Sequence, residues 1–424
     1  MGHRVAKDVY RELGRTIDGL TVRAPWSETL RTILRELYTE EEADLVSRMP
    51  TGLVPLRRIV EVTGRPEKQL AGLLRSLAAK GLVLDAEIGG EWRYSISPFV
   101  IGVFEYTMMR SDGGVDFPRM ARLFKDYLAT SGGFVEANAA GGKQASVMRT
   151  IPHTDALAEQ PYVEVLDHEK AEELVERSLS FTAGTCSCRH EKLHLGEKRC
   201  DTPLDVCLSF NAGASWVARH SFGRNISKEE ARGLLSLAKE KRLVLNADNV
   251  RRDVSFVCLC CSCCCNLLGG IRKFGLPNLV VTSRFIAVHD GARCTGCGAC
   301  ARACPIEAIR MSDPERGEEA QKRRPAVDDS FCIGCGVCGL ACKARAMRLV
   351  PRAQRVILPE NTIERVILQA IERGTLQNFL FDNPNLASQR FLRALVGAFL
   401  ALTPVKRLIM SEGFRSRFLA RIAG

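Results

Sequence analysis

Cys294-Thr-Gly-Cys297-Gly-Ala-Cys300-Ala-Arg-Ala-Cys304-Pro305 is repeated 38 residues later as Cys332-Ile-Gly-Cys335-Gly-Val-Cys338-Gly-Leu-Ala-Cys342. Both copies read C-x2-C-x2-C-x3-C, and each leads into a short strand candidate, at 308–311 and 346–350. The eight cysteines belong to a set of 18, all between Cys186 and Cys342. In a secreted chain an even count would suggest disulfides. Here the first 25 residues carry charges throughout and lack an apolar h-region. A cytoplasmic, reducing location is therefore expected, where cysteines usually hold metal rather than each other.

The duplicated run resembles a bacterial-type two-cluster [4Fe–4S] ferredoxin over about residues 284–350. The resemblance explains the spacing: three thiolates on one tight loop grip three irons of a cubane, while Gly296, Gly298, Gly334 and Gly336 let the backbone wrap closely. It implies that one [4Fe–4S] cluster takes Cys294, Cys297, Cys300 and Cys342, and the other Cys332, Cys335, Cys338 and Cys304, the fourth ligand crossing over each time. Zinc is the rival metal, disfavoured by this spacing. Two departures stand out. Lys343 replaces the proline that normally follows the last cysteine, and the 27 residues between Cys304 and Cys332 include a charged insert at 313–324.

Ten cysteines remain. Cys186, Cys188, Cys200 and Cys207 form one group, and Cys258, Cys260, Cys261, Cys263, Cys264 and Cys265 pack six thiols into eight residues. The first group reads as a four-thiolate site for a further iron–sulfur cluster, with a structural zinc as the alternative. The second cannot serve one cubane, because adjacent side chains point apart; some of its thiols are expected to join the first group, others to stay free or redox-active. His190 and His194 read as solvated rather than ligating.

Around these motifs the chain of 424 residues, 46% apolar and 26% charged, is too ordinary in composition to be disordered or low-complexity and long enough for several domains. An α+β multidomain fold is expected. Helices at 41–49, 55–62 and 66–80 followed by a hairpin at 82–87 and 91–96 give residues 1–110 a winged-helix-like reading, with Lys68, Arg75 and Lys80 on an exposed face. Residues 111–165 read as a connecting region; Gly142–Lys143 there does not complete a phosphate-binding loop, since Ala137 and Gln144 break the frame. Residues 166–283 read as a cysteine-rich α/β region, with Asp167 opening one helix and a Ser227/Glu230 capping box opening another. The tail, 351–424, reads as basic helices at 363–373, 387–402 and 404–422. Its longest uncharged stretch, 394–405, is too short to span a bilayer.

Charge narrows the function. Residues 1–110 hold 16 Lys/Arg against 15 Asp/Glu, whereas residues 343–424 hold 14 against 5. A near-neutral winged-helix candidate lacks the phosphate attraction on which DNA affinity rests, which argues against specific nucleic acid. The basic tail instead suits an acidic redox partner protein, or peripheral contact with the anionic inner face of a membrane. The order of motifs is similar to bacterial and archaeal 4Fe–4S dicluster-domain proteins, and that resemblance implies electron transfer. The expectation is an electron carrier or oxidoreductase subunit. A redox-sensing regulator acting through the winged helix, and an enzyme with an unusual catalytic cluster, are the alternatives.

Overall fold

The computed structural model describes residues 8–111, 113–130, 133–140, 146–158, 169–312, 323–353, 356, 358–402, 404 and 405. It mixes helix and sheet. Two compact units are formed, one within residues 1–138 and 363–424, the other within 139–362. Among the described residues no helix is long and apolar enough to cross a membrane.

In the first unit, helices Val9–Asp18, Glu28–Leu37 and Glu40–Arg48 precede strand β1 (Val54–Pro55), helices Leu56–Thr63 and Glu67–Ala79, and the hairpin β2 (Val83–Ile88) and β3 (Glu91–Ile96). The three strands form one sheet in the order β1-β3-β2. Gly64 ends its helix in the left-handed region, φ +68°, which an L side chain enters only with strain. Leu70, Leu74 and Leu77 supply the buried face of the next helix. Lys68 and Arg75 are exposed as expected; Lys80 is not. Its ammonium lies 2.7 Å from the carboxylate of Glu42, a residue only 3% exposed. Burial works to raise the Glu42 pKa, but Lys80 and the Thr39 cap bonds bring it below the ordinary carboxylate range. The pair therefore stabilises the fold at neutral pH and stops doing so as pH falls. Lys80→Met is expected to cost about 2–3 kcal/mol in denaturant titration near neutrality, with the difference from wild type shrinking in acid.

Residues 117–139, read from sequence as connection, carry helices Phe117–Lys125 and Gly133–Ala139. Asp116 caps the first through the Arg119 amide, with Pro118 in its opening turn. Tyr127 and Phe124 then close on Phe99. Helices Thr362–Arg373, Leu376–Leu380 and Ala387–Ala401 complete this unit. Of the helix expected at 404–422, only residues 404 and 405 are described.

The second unit is built on a six-stranded sheet, β4 (Met148–Ile151), β5 (Phe181–Gly184), β6 (Cys207–Phe210), β7 (Gly223–Ile226), β8 (Val244–Asp248) and β9 (Phe256–Cys260), in the order β4-β8-β9-β6-β5-β7. Every strand pair in it is antiparallel. The α/β reading of this region is thereby corrected to α+β, since α/β layering rests on parallel strands. Helix Lys228–Glu240 begins at Ser227 as expected, but Glu230 turns to Arg224 instead of closing the capping box. A helix spans Ala171–Arg177; Asp167, expected to cap it, lies outside the described residues.

The sheet separates two cores. On one side Leu208, Leu245, Val257 and Leu259 pack with Val175, Ala231 and Leu235 from the helices. On the other, Val244, Cys258 and Cys260 pack with the segment holding β10 (Phe285–His289), β11 (Ile309–Ser312), β12 (Arg324–Val327) and β13 (Met347–Pro351). There β10 pairs with β13, and β11 with β12.

Candidate metal centres

The repeat becomes two copies of one device: a cysteine loop, a short helix (Ala299–Ala303 or Val337–Ala341) and a strand. Gly336 enters its helix at φ +83°, and a Cβ there would stand 2.9 Å from the Ala156 methyl. At Gly334 a Cβ would run into the Phe285 carbonyl. Close wrapping thus requires glycine at both positions. The Ala308 amide donates to Cys304 Sγ at 3.2 Å and, at the equivalent place, Ala346 donates to Cys342 Sγ at 3.3 Å. Cys304, Cys332, Cys335 and Cys338 line one small cavity, walled by Ile306, Ile309 and Leu349. Cys300 has Cys342 and Cys294 as its thiol neighbours, while Cys297 is exposed. The chain crossing thus brings each fourth cysteine to the far copy. Four soft thiols around an apolar-walled cavity suit an iron–sulfur cluster. Burial pushes the Cys335 and Cys338 thiols up, so a bound cation is what favours their thiolates.

The other ten cysteines do not assemble as the sequence grouped them. Alternation along β9 points Val257 and Leu259 to the helix-side core and Cys258 and Cys260 to the ferredoxin side. Cys207 on β6 stands directly across from Cys258. Cys265 caps helix Asn266–Phe274 and joins the same core. Cys265 neighbours Cys188 and Cys260, and Cys258 neighbours Cys207 and Cys260, so these thiols form a continuous row. Asn246, fully buried and opposite Cys258, turns its side-chain amide toward Cys260 and helps to lower that thiol's pKa. That is an N–H donor beside the row, suited to an anionic sulfur centre.

After β9 the chain turns, and Cys261, Cys263 and Cys264 swing to the helix side, where Cys200 meets them. Cys200, Cys186, Cys188 and Cys207 therefore do not share one site. Cys186 caps helix Ser187–His194, with Cys188 and Cys207 as its thiol neighbours. His190 and His194 contact each other, Nε2 to Nε2 at 2.9 Å.

Sequence reasoning did not single out Arg189, which lies between the two thiol groups. It is 1% exposed and donates from Nη2 to the Leu259 carbonyl at 2.6 Å, while Nε and Nη1 have no hydrogen-bond partner. Burial works against its charge, and Cys186, Cys261, Cys260 and Cys200 more than restore it. The signal was its place directly after Cys188. Arg272 was missed too: it donates to the carbonyls of Pro305 at 2.9 Å and Ser262 at 2.8 Å, tying a ferredoxin loop to the cysteine run.

Residues 293–346 match the 4Fe-4S dicluster domain family. No curated protein and no solved structure matches the chain. The match agrees with the paired loops and supports a ferredoxin-type domain that binds [4Fe–4S] clusters within an iron–sulfur electron-transfer protein.

Proposed function

We propose that this chain is an electron carrier serving a larger oxidoreductase system. Cys294, Cys297, Cys300 and Cys342 would hold one [4Fe–4S] cluster, and Cys332, Cys335, Cys338 and Cys304 the other. When bound, each supplies a one-electron couple. The observation that carries the reading is the shared core: Cys258, Cys260 and Cys265 pack in the same apolar cluster as Cys300, Cys332, Cys335 and Cys338. We place a third iron–sulfur centre there, on Cys188, Cys258, Cys260 and Cys265 with Cys207 alongside, continuous with the ferredoxin pair. Apolar packing between the sites keeps water out, and Arg272 fixes one loop against the other.

The exposed end of the route is Cys297, with exposed Arg293 and Lys343 next to its partners Cys294 and Cys342. This surface suits a redox partner with an acidic face. The basic tail would add a second attachment, to the same partner or to anionic lipid. The anaerobically purified chain should contain about eight irons with matching sulfide from the ferredoxin pair and about four more from the third centre. Cys258→Ser/Cys260→Ser should remove only the latter. Iron at or below half that of the ferredoxin pair would defeat the carrier reading.

The near-neutral winged-helix candidate, residues 1–110, gives the regulator little support, because Arg65 and Lys80 are engaged by Asp44 and Glu42. No DNA sequence should be footprinted through residues 28–105, and any DNA retention should be salt-sensitive and vanish on deleting residues 385–424. A footprint lost in Lys68→Ala/Arg75→Ala would instead favour the regulator.

A further inference from the structure

We propose that Cys200, Cys261, Cys263 and Cys264 form a tetrahedral site for a single Zn²⁺ ion, separate from every iron–sulfur cluster of the chain. Sulfur separations carry it. Cys263 Sγ is 3.5 Å from Cys264 and 3.6 Å from Cys261, and Cys200 Sγ is 3.7 Å from Cys261 and 3.9 Å from Cys264. All four sulfurs lie within 4.8 Å of one another. Four thiolates bound about 2.3 Å from one zinc stand about 3.8 Å apart at the corners of a tetrahedron. A cubane gives each thiolate a different iron, so its ligands spread more widely. The ferredoxin loops provide the comparison: among the described residues no three of their cysteine sulfurs gather within 4.8 Å of one another.

An all-thiolate set excludes magnesium and calcium. Zinc, lacking any d-electron preference, tolerates the irregular spacing Cys261-Ser-Cys263-Cys264. The site belongs to the helix-side core, away from the core shared with the ferredoxin segment, which places it off the electron route. Four thiolates and one divalent ion leave two negative charges, and the buried guanidinium of Arg189 answers part of them. The ion would tie the loop carrying Cys200 to the turn after β9, joining segments 61 residues apart in sequence. Metal affinity there becomes folding stability.

Zinc-edge X-ray absorption on the wild-type chain, purified anaerobically, tests this without a variant: about one zinc per chain with four sulfur neighbours at about 2.3 Å is expected. Cys261→Ser/Cys264→Ser should lose that zinc and keep its iron. Cys200→His, which conserves a zinc ligand, should retain it. Absence of zinc in the wild type, a lone iron in its place, or loss of about four irons in the double variant would each overturn the assignment.

Discussion

Cys304→Ser is expected to lose about four irons, and the cluster lost is the one nucleated by Cys332, not the one on the loop from which Cys304 follows. The cavity lined by Cys304, Cys332, Cys335 and Cys338 leads to this result. Counting iron in combined variants identifies the cluster. Cys304→Ser with Cys335→Ser should lose no more iron than either alone, because both strike one site. Cys304→Ser with Cys297→Ser should lose about eight, because they strike two. The equivalent Cys342→Ser should pair with Cys297→Ser in the non-additive way. Reversal of the two patterns would mean that each loop keeps its own fourth cysteine.

The ferredoxin pair was legible because three of each set of four thiols lie within seven residues, where spacing alone fixes their geometry. Its crossing fourth cysteines were legible only through resemblance. The other ten were not, because their grouping is decided by the sheet. Nothing local says that Cys207 stands across from Cys258. The alternation Phe256-Val-Cys-Leu-Cys was readable as a strand, yet which face would meet the ferredoxin segment depended on residues beyond position 280. Strand alternation carried one residue past β9 sends Cys260 and Cys261 to opposite cores, and the turn that follows keeps Cys263 and Cys264 on the side of Cys261. Antiparallel pairing was hidden for the same reason: a helix between two strands suggests a parallel crossover, but Ser187–His194 links β5 to a β6 that runs beside it in the opposite direction. Helix Phe117–Lys125 escaped notice although Asp116 and Pro118 mark its start, since its apolar residues face the aromatic group of Phe99, Phe124 and Tyr127 rather than making a long periodic stripe.

Arg189→Met should have the largest effect of any substitution outside the cysteines. The side chain is buried between two thiol groups, and methionine keeps much of its volume while removing its charge. Thiolates at Cys200, Cys260 and Cys261 would then lie in a low-dielectric interior without their nearest cation. Removing one partner of a buried charged set costs about 3–5 kcal/mol, because the remaining charge is left uncompensated. Metal binding depends on those thiolates, so the loss should appear as weaker retention of both the zinc and the irons of the third centre, by a factor of at least about 100 against a competing chelator. About eight irons of the ferredoxin pair should stay, because Arg189 does not reach them. Arg189→Lys should recover part of the retention: it restores the charge but not the bond geometry to the Leu259 carbonyl. Full retention of metal in Arg189→Met would show that the thiol centres are neutralised by protonation or by another cation, and the guanidinium would then be a packing element alone.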